Sequence, residues 1–359
     1  MTSRGSPYME WAKTRPRPGI DLAGSNLLAC SLTDLPGARE AVDLAGESPD
    51  GYPPLLEAIA ERFGVRVENV ATAVGCSGAN FLACAALLQP GDEVVIERPN
   101  YDPLVAAVRM LGAHPRFFAR RFESGFAVEA SAVAAAMTRA TRLVIVTNPH
   151  NPSGVLAGQE DVESLARLSE KSGVPVLVDE VYRETIFEDR PPPAATLSPL
   201  FVSSNSLTKS YGLAALRCGW TLASSEITRS IRRARDVVDV SGPLPTERLA
   251  LAAARDFDRL EARGRAILEP NRRLARKFLA GRAELECAPF AASLAFPRFR
   301  DGRDAGVFVE DLFAREGVAV VPGKFFGLPS HFRVSLGGSS DVLRDGLAAL
   351  GRALDRGAG

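Results

Sequence analysis

The chain has 359 residues, 46% of them hydrophobic, enough to bury a large core in one domain with a smaller partner. Its 43 basic and 43 acidic residues cancel, which argues against the basic footprint of a nucleic-acid binder and against a polybasic segment for an anionic membrane. Small neutral or zwitterionic partners are the expectation.

The first twenty residues carry Arg4, Glu10, Lys13, Arg15 and Arg17 with no apolar centre, so they do not read as a signal peptide. Residues 18–50 are punctuated by Gly, Pro and Ser with little periodicity and are expected to cross between two lobes. From about residue 54 to 240, helical patterns alternate with short Val- and Ile-rich runs: "EVVIE" (93–97), "RLVIVT" (142–147), "VPVLVD" (174–179), "FVSSN" (201–205) and "GWTLAS" (219–224). With helical segments such as 159–171 between them, these runs predict an α/β fold whose mostly parallel sheet is covered on both faces. Beyond about 255, a charged pair of helical segments (255–282) precedes short strands near 292–298 and 332–336 and helices near 304–316 and 340–355, the texture of a smaller α+β lobe. Cys30, Cys76, Cys84, Cys218 and Cys287 form no C-x-x-C pair, which fits a reducing, cytoplasmic setting. No run reaches the roughly 20 apolar residues of a membrane span.

Ligands of open α/β sheets bind at the carboxyl ends of the strands, and the unusual polar residues fall there. "VPVLVD" ends in Asp179, followed by Glu180, Val181 and Tyr182; alone, that carboxylate reads as a helix cap or a metal ligand. "RLVIVT" runs into "NPHNPSG" (148–154), whose two Asn-Pro steps make a rigid turn. Gly75, Cys76, Ser77 and Gly78 are expected to precede a helix, with their N–H groups toward a docked anion. The segment is neither G-x-G-x-x-G nor G-x-x-x-x-G-K-[ST], which argues against a dinucleotide and against a nucleotide triphosphatase. "SNSLTKSYGLAALRCGW" (204–220) keeps a single lysine, Lys209, among small polar residues. His114, His150 and His331 show no metal-ligand spacing, and no metal site is expected.

In this order, "VTNPHNPSG", "VLVDEVY" and "SNSLTKSYGLAALRCGW" resemble the class I/II aminotransferases of pyridoxal-5'-phosphate fold type I, aspartate aminotransferase-like enzymes. "GYPPLLEAIAERFGV" before the anion turn and "HFRVSLGG" near the end extend the resemblance over most of the chain. It implies that Lys209 holds the cofactor aldehyde as a Schiff base and then acts as general base. Asp179 would face the pyridine nitrogen, Tyr182 and Asn151 the phenolic oxygen, and Tyr101 would stack on the ring. Ser206 and Arg217, with the amides of Cys76 and Ser77, would hold the phosphate, and Tyr52 would reach the phosphate in a neighbouring subunit, implying a homodimer. Arg333 would clamp the substrate α-carboxylate, with Gly24 and Asn151 beside it.

The phosphate turn reads Gly-Cys-Ser-Gly-Ala-Asn where the family more often has an acidic or glutamine residue fourth and an apolar residue sixth, and Thr208 replaces the commoner serine before the lysine. The expected division is an arm (1–17), a large cofactor-binding domain (48–252) and a discontinuous small domain (18–47 with 253–359). The implied reaction transfers the α-amino group of an amino acid to a 2-oxo acid. Carbon–sulfur β-elimination and decarboxylation are the alternatives on the same scaffold. A ligand-sensing regulator would need an added DNA-binding module, for which motifs starting near residue 50 leave no room.

Overall fold

The computed structural model describes residues 5–356; residues 1–4 of the expected arm and 357–359 of the expected small domain lie outside the described residues. The helices in chain order are α1 (Pro7–Thr14), α2 (Pro53–Phe63), α3 (Gly75–Leu87), α4 (Asp102–Met110), α5 (Ala130–Ala136), α6 (Gln159–Ser172), α7 (Ser225–Val238), α8 (Leu244–Ala254), α9 (Phe257–Ala280), α10 (Ala305–Glu316) and α11 (Ser340–Arg356). After the short β1 (Ile20–Asp21) come β2 (Val70–Val74), β3 (Glu93–Arg98), β4 (His114–Ala119), β5 (Thr141–Thr147), β6 (Val176–Asp179), β7 (Phe201–Ser206) and β8 (Cys218–Leu222). Those seven later strands form one sheet in the order β2-β8-β7-β6-β5-β3-β4.

The sheet is mostly parallel, as the Val- and Ile-rich rhythm predicts; β8 alone runs against both its neighbours, β2 and β7. Apolar side chains cover both faces, Val94, Ile96, Leu143 and Ile145 on one and Val95, Val144, Val146 and Val176 on the other. Strands β2 and β4 are the two that the sequence rhythm does not reveal. β4 is an edge strand whose residues are mostly exposed or half-buried, and its proline is tolerated there because an edge leaves N–H groups unpaired.

Two local expectations are corrected. Gly75–Gly78 do not precede the helix but form its first turn, entered through Gly75 at φ +72°. A Cβ at Gly75 would strike the Arg217 guanidinium, and one at Gly219 would strike the Gly75 backbone, so this corner closes only with glycine at both places. The charged stretch 255–282 is one helix, α9, and not a pair, although Pro270 lies inside it. Buried Phe257, Leu260, Gly264, Leu268, Asn271 and Ala275 recur at helical spacing across the proline. Beside it the Asn271 amide donates to the carbonyls of Leu336 and Gly338, both at 2.8 Å, so packing outweighs the hydrogen bond that proline removes.

The C-terminal strands are short: β9 (Leu285–Glu286) pairs with β11 (Arg298–Phe299), and β10 (Leu294–Ala295), β14 (Phe332–Ser335) and β13 (Val321–Pro322) form a three-stranded sheet. β12 (Val318–Ala319) pairs with β1, and Leu22 and Leu27 enter the same apolar core as Leu268, Val318, Phe332 and Leu350, so the early crossing segment packs with the last hundred residues. Among the described residues, no helix is long and apolar enough to cross a membrane.

Behind the sheet's carboxyl edge, Glu97 and Arg120 form an ion pair at 2.7 Å with both side chains fully buried. Burial pushes the Glu97 carboxyl up, and Arg120 pulls it back. Glu97→Ala is expected to lower stability by about 3–5 kcal/mol, since it strands the Arg120 charge; the shift of the urea unfolding midpoint measures it.

Candidate active site

Strands β5, β6 and β7 end side by side, with Thr147 opposite Asp179 and Asp179 opposite Ser204. A cavity of about 410 Å³ lies against these ends, lined by Asp179, Tyr182, Asn151, Ser206, Lys209 and Arg217, and by Cys76, Ser77 and Tyr101 from the helix starts opposite. Nine sequence-predicted residues thus line the wall of one cavity. Arg333 stands immediately behind that wall, fully buried, donating from Nη1 to Asn151 Oδ1 at 2.9 Å and from Nη2 to Tyr8 Oη at 2.9 Å and Ala23 O at 3.1 Å. Among the described residues its Nε has no hydrogen-bond partner. Gly24 and Tyr52 do not line the cavity. Gly24 is exposed beside Ala23, its N–H donating to Asp21 Oδ1 at 3.2 Å. Tyr52 instead donates from its backbone to Glu247 Oε2 at 2.8 Å, with the Arg248 guanidinium over its ring.

Lys209 follows β7 and projects its amine onto Ser25 Oγ and Asn26 Oδ1, each at 2.8 Å. Burial draws the ammonium pKa down to about 8, the nearby Arg333 charge adds to the fall, and Asp179 opposes it. The amine is therefore a partly free nucleophile near neutral pH, as imine formation requires. Asp179 is buried, which raises its pKa, yet both oxygens are engaged. Oδ2 accepts from Asn80 Nδ2 at 2.8 Å, and Oδ1 accepts from Val181 N at 3.1 Å and lies 3.4 Å from Cys76 Sγ. Burial likewise raises the Tyr182 phenol, opposed by the Arg333 charge and the nearby Ser25 hydroxyl, and its oxygen, buried in the cavity wall, has no well-aligned hydrogen-bond partner among the described residues.

Asn151 is held from behind. Its N–H donates to Thr147 Oγ1 at 3.0 Å, and that hydroxyl donates to Glu97 Oε1 at 2.5 Å. At the other end of the cavity α3 points its first turn inward, so the N–H groups of Cys76 and Ser77 lie at a helix N-terminus, where anions are favoured.

These residues fit pyridoxal 5'-phosphate. An unpaired phenol, a buried carboxylate, a lysine amine with a lowered pKa and a helix N-terminus beside Arg217 match its phenolic oxygen, ring nitrogen, aldehyde and phosphate in turn. Residues 45–350 match the family described as aminotransferase class I and II. The chain is 35% identical over 289 residues to capreomycidine synthase of Streptomyces vinaceus, covering 79% of this chain and 74% of that one. It is 29% identical to histidinol-phosphate aminotransferase 1 of Cupriavidus pinatubonensis, covering 98% and 93%. A solved pyridoxal-phosphate-dependent aminotransferase of Streptococcus suis superposes with a TM-score of 0.91 at 24% identity, covering 97% of each chain.

The chain belongs to the class I and II aminotransferases. It is a pyridoxal-5'-phosphate-dependent enzyme that moves the α-amino group of an amino acid to a 2-oxo acid.

Ser25, Asn26, Asn80, Met9 and Lys13 also line or support this cavity without having been read from the sequence. Three of them had a visible signal. Met9 and Lys13 sit on α1, whose Ser6 N-cap and Pro7 first residue are a helix-start pattern; Asn80 is the polar sixth residue of a turn that usually has an apolar one. Ser25 and Asn26 lie in an aperiodic loop and gave none.

Capture of pyridoxal 5'-phosphate by the cofactor-free protein is expected to speed up as pH rises through about 8, because deprotonation frees the Lys209 amine. Stopped-flow absorbance measures the rate; an inflection near 10.5, the ordinary lysine value, would show the amine unshifted.

Proposed function

We propose that amino transfer in this enzyme turns on Lys209, and the observation that carries the reading is its amine, with a pKa near 8, in one cavity with Asp179 and Tyr182. When bound, the cofactor supplies an aldehyde for amines and a ring that draws electrons from the substrate Cα. Asp179 would keep the ring nitrogen protonated through a charge-assisted hydrogen bond. Tyr182 and Asn151 would donate to the phenolic oxygen, and Tyr101 would cover the ring. Ser206, Arg217 and the N–H groups of Cys76 and Ser77 would hold the phosphate.

Arg333 would bind the α-carboxylate, offering the unpaired Nε–H. Asn151 and Ala23 hold the guanidinium from two sides, which fixes the plane in which the carboxylate docks. That orientation leaves the Cα–H bond, and not the Cα–carboxylate bond, aligned for cleavage. Lys209, released by the incoming amine, would take the proton from Cα and deliver it to C4' of the cofactor.

The division proposed for the chain is a cofactor-binding domain over 48–252 and a small domain over 18–47 with 253–359. A cytoplasmic homodimer is part of the same reading. Ser77 and Arg217 are exposed at the phosphate end, Tyr52 lies outside its own chain's cavity, and Val42, Leu44, Val237, Val238 and Val240 stand exposed. A second copy covering them, with its Tyr52 brought to this phosphate site, accounts for all three. The substrate pair is that of an α-amino acid and a 2-oxo acid. Elimination and decarboxylation on the same scaffold are the alternatives that the donor experiment separates from amino transfer.

Lys209→Ala is expected to abolish turnover and the absorbance of the lysine-linked cofactor while the protein stays folded. Wild-type enzyme given an amino donor and no acceptor is expected to release one oxo acid per site and stop. Continued release of pyruvate, ammonia and a thiol from a substrate such as cystathionine would establish elimination instead, and release of carbon dioxide would establish decarboxylation.

The dimer has its own test. Lys209→Ala and Tyr52→Ala proteins, each inactive or strongly impaired, are expected to regain activity when mixed and allowed to exchange subunits, because one site in the hybrid keeps both residues. No recovery in hybrids of confirmed composition would remove Tyr52 from the site.

A further inference from the structure

The side chain of Asn80 is 3% exposed, and it reaches neither solvent nor the cavity lining. It lies one turn after Cys76 on α3, and its two ends are both committed. Nδ2 donates to Asp179 Oδ2 at 2.8 Å, while Oδ1 accepts from Ser204 Oγ at 2.5 Å. Ser204 is the residue of β7 directly opposite Asp179 on β6, so sheet register sets the serine beside the amide oxygen, and the carboxylate, which only accepts, takes the amide's N–H₂ end. An amide so tethered can present only its N–H₂ to Asp179.

We propose that Asn80 is a positioning residue of this aminotransferase, which aims the Asp179 carboxylate and holds it as the anion that pairs with the protonated ring nitrogen of the cofactor. The inference rests on the assignment of Asp179 to that nitrogen. The groups around the carboxylate divide cleanly. Burial opposes ionisation, and against it stand the Asn80 amide, the Val181 N–H, the Cys76 thiol and the Lys209 charge, in falling order of effect. Asn80 is thus the largest single contribution opposing the cost of burial.

The proton shared by Asp179 and the ring nitrogen has two resting places. With it on the ring, the carboxylate is charged and each N–H donor stabilises it; with it on the carboxyl, the ring is neutral and a weaker electron sink. Losing the Asn80 donor destabilises the charged arrangement more than the neutral one, so the proton moves toward the carboxyl. A hydrogen bond to a charged group is worth enough to move that equilibrium about tenfold. The departure at the sixth place of the phosphate turn then has a physical meaning, because an apolar residue there could not supply this donor.

The experiment uses pyridoxal 5'-phosphate carrying nitrogen-15 in the ring, bound to wild-type and Asn80→Leu enzyme and read by NMR at one neutral pH. The ring-nitrogen resonance is expected at its protonated position in wild type and displaced toward the unprotonated position in Asn80→Leu, with kcat about tenfold lower and the KM of the amino donor little changed. In an Asp179→Asn background, Asn80→Leu should add no further displacement. An unmoved resonance in Asn80→Leu would overturn the proposal, as would an equal displacement in both backgrounds, the mark of a general packing effect. Should Asn80→Leu not fold, Asn80→Ser, whose hydroxyl falls short of Asp179, carries the same comparison. Wild-type enzyme that leaves the labelled cofactor free in solution would refute the cofactor assignment itself, a result distinct from either.

Discussion

A carboxylate buried at the end of a central strand is the constraint on which this molecule is arranged. Asp179 ends β6, the middle strand of the seven-stranded sheet, and burial opposes its charge. It lies where three independent parts of the fold converge: α3 supplies Asn80 and Cys76, the turn after β6 supplies the Val181 N–H, and β7 supplies Ser204 behind Asn80. An acid kept charged inside a protein needs such a ring of donors, and here the donors come only when helix, strand and turn are all in register. Cofactor chemistry is therefore coupled to the folding of the whole sheet.

The same logic governs the phosphate end. β8 runs antiparallel between β2 and β7, and it lies so close to the start of α3 that neither Gly75 nor Gly219 has space for a side chain. This approach brings Arg217, itself at φ +50°, over the helix N-terminus. A fixed positive end of a helix and a guanidinium beside it form a site for a dianion without any further cation.

The substrate side is held by a longer chain of contacts. Glu97 receives the Thr147 hydroxyl, Thr147 receives the Asn151 N–H, and Asn151 receives the Arg333 guanidinium. α1 closes this chain from outside, with the Tyr8 hydroxyl on Arg333 and the Tyr8 ring edge-on to Tyr101. Every member except Tyr101 is buried and polar, so the arginine proposed to meet the substrate is oriented by a network that begins at the Glu97–Arg120 ion pair.

The sequence by itself determined the sheet's interior strands, the last two helices and the order of the motifs, because those signals are local. Apolar periodicity marks a strand or helix wherever it packs, and "VPVLVD" must end where its apolar run ends, which places Asp179 at a strand's carboxyl edge. Lys209, Asp179, Tyr182, Asn151 and Arg217 were picked out by short motifs that resemble those of the aminotransferase family, not by periodicity. What only the tertiary structure decided is what depends on meetings between distant segments. Edge strand β4 lacks the buried pattern of its neighbours. The helix through Pro270 survives because residues 336–338 accept hydrogen bonds beside it. Lys209 rests on Ser25 and Asn26, 183 or more positions away, and Asn80 meets Asp179 across 99. No short window of sequence carries these contacts, since a hydrogen bond across the fold is selected by geometry that exists only once the sheet and its helices have packed.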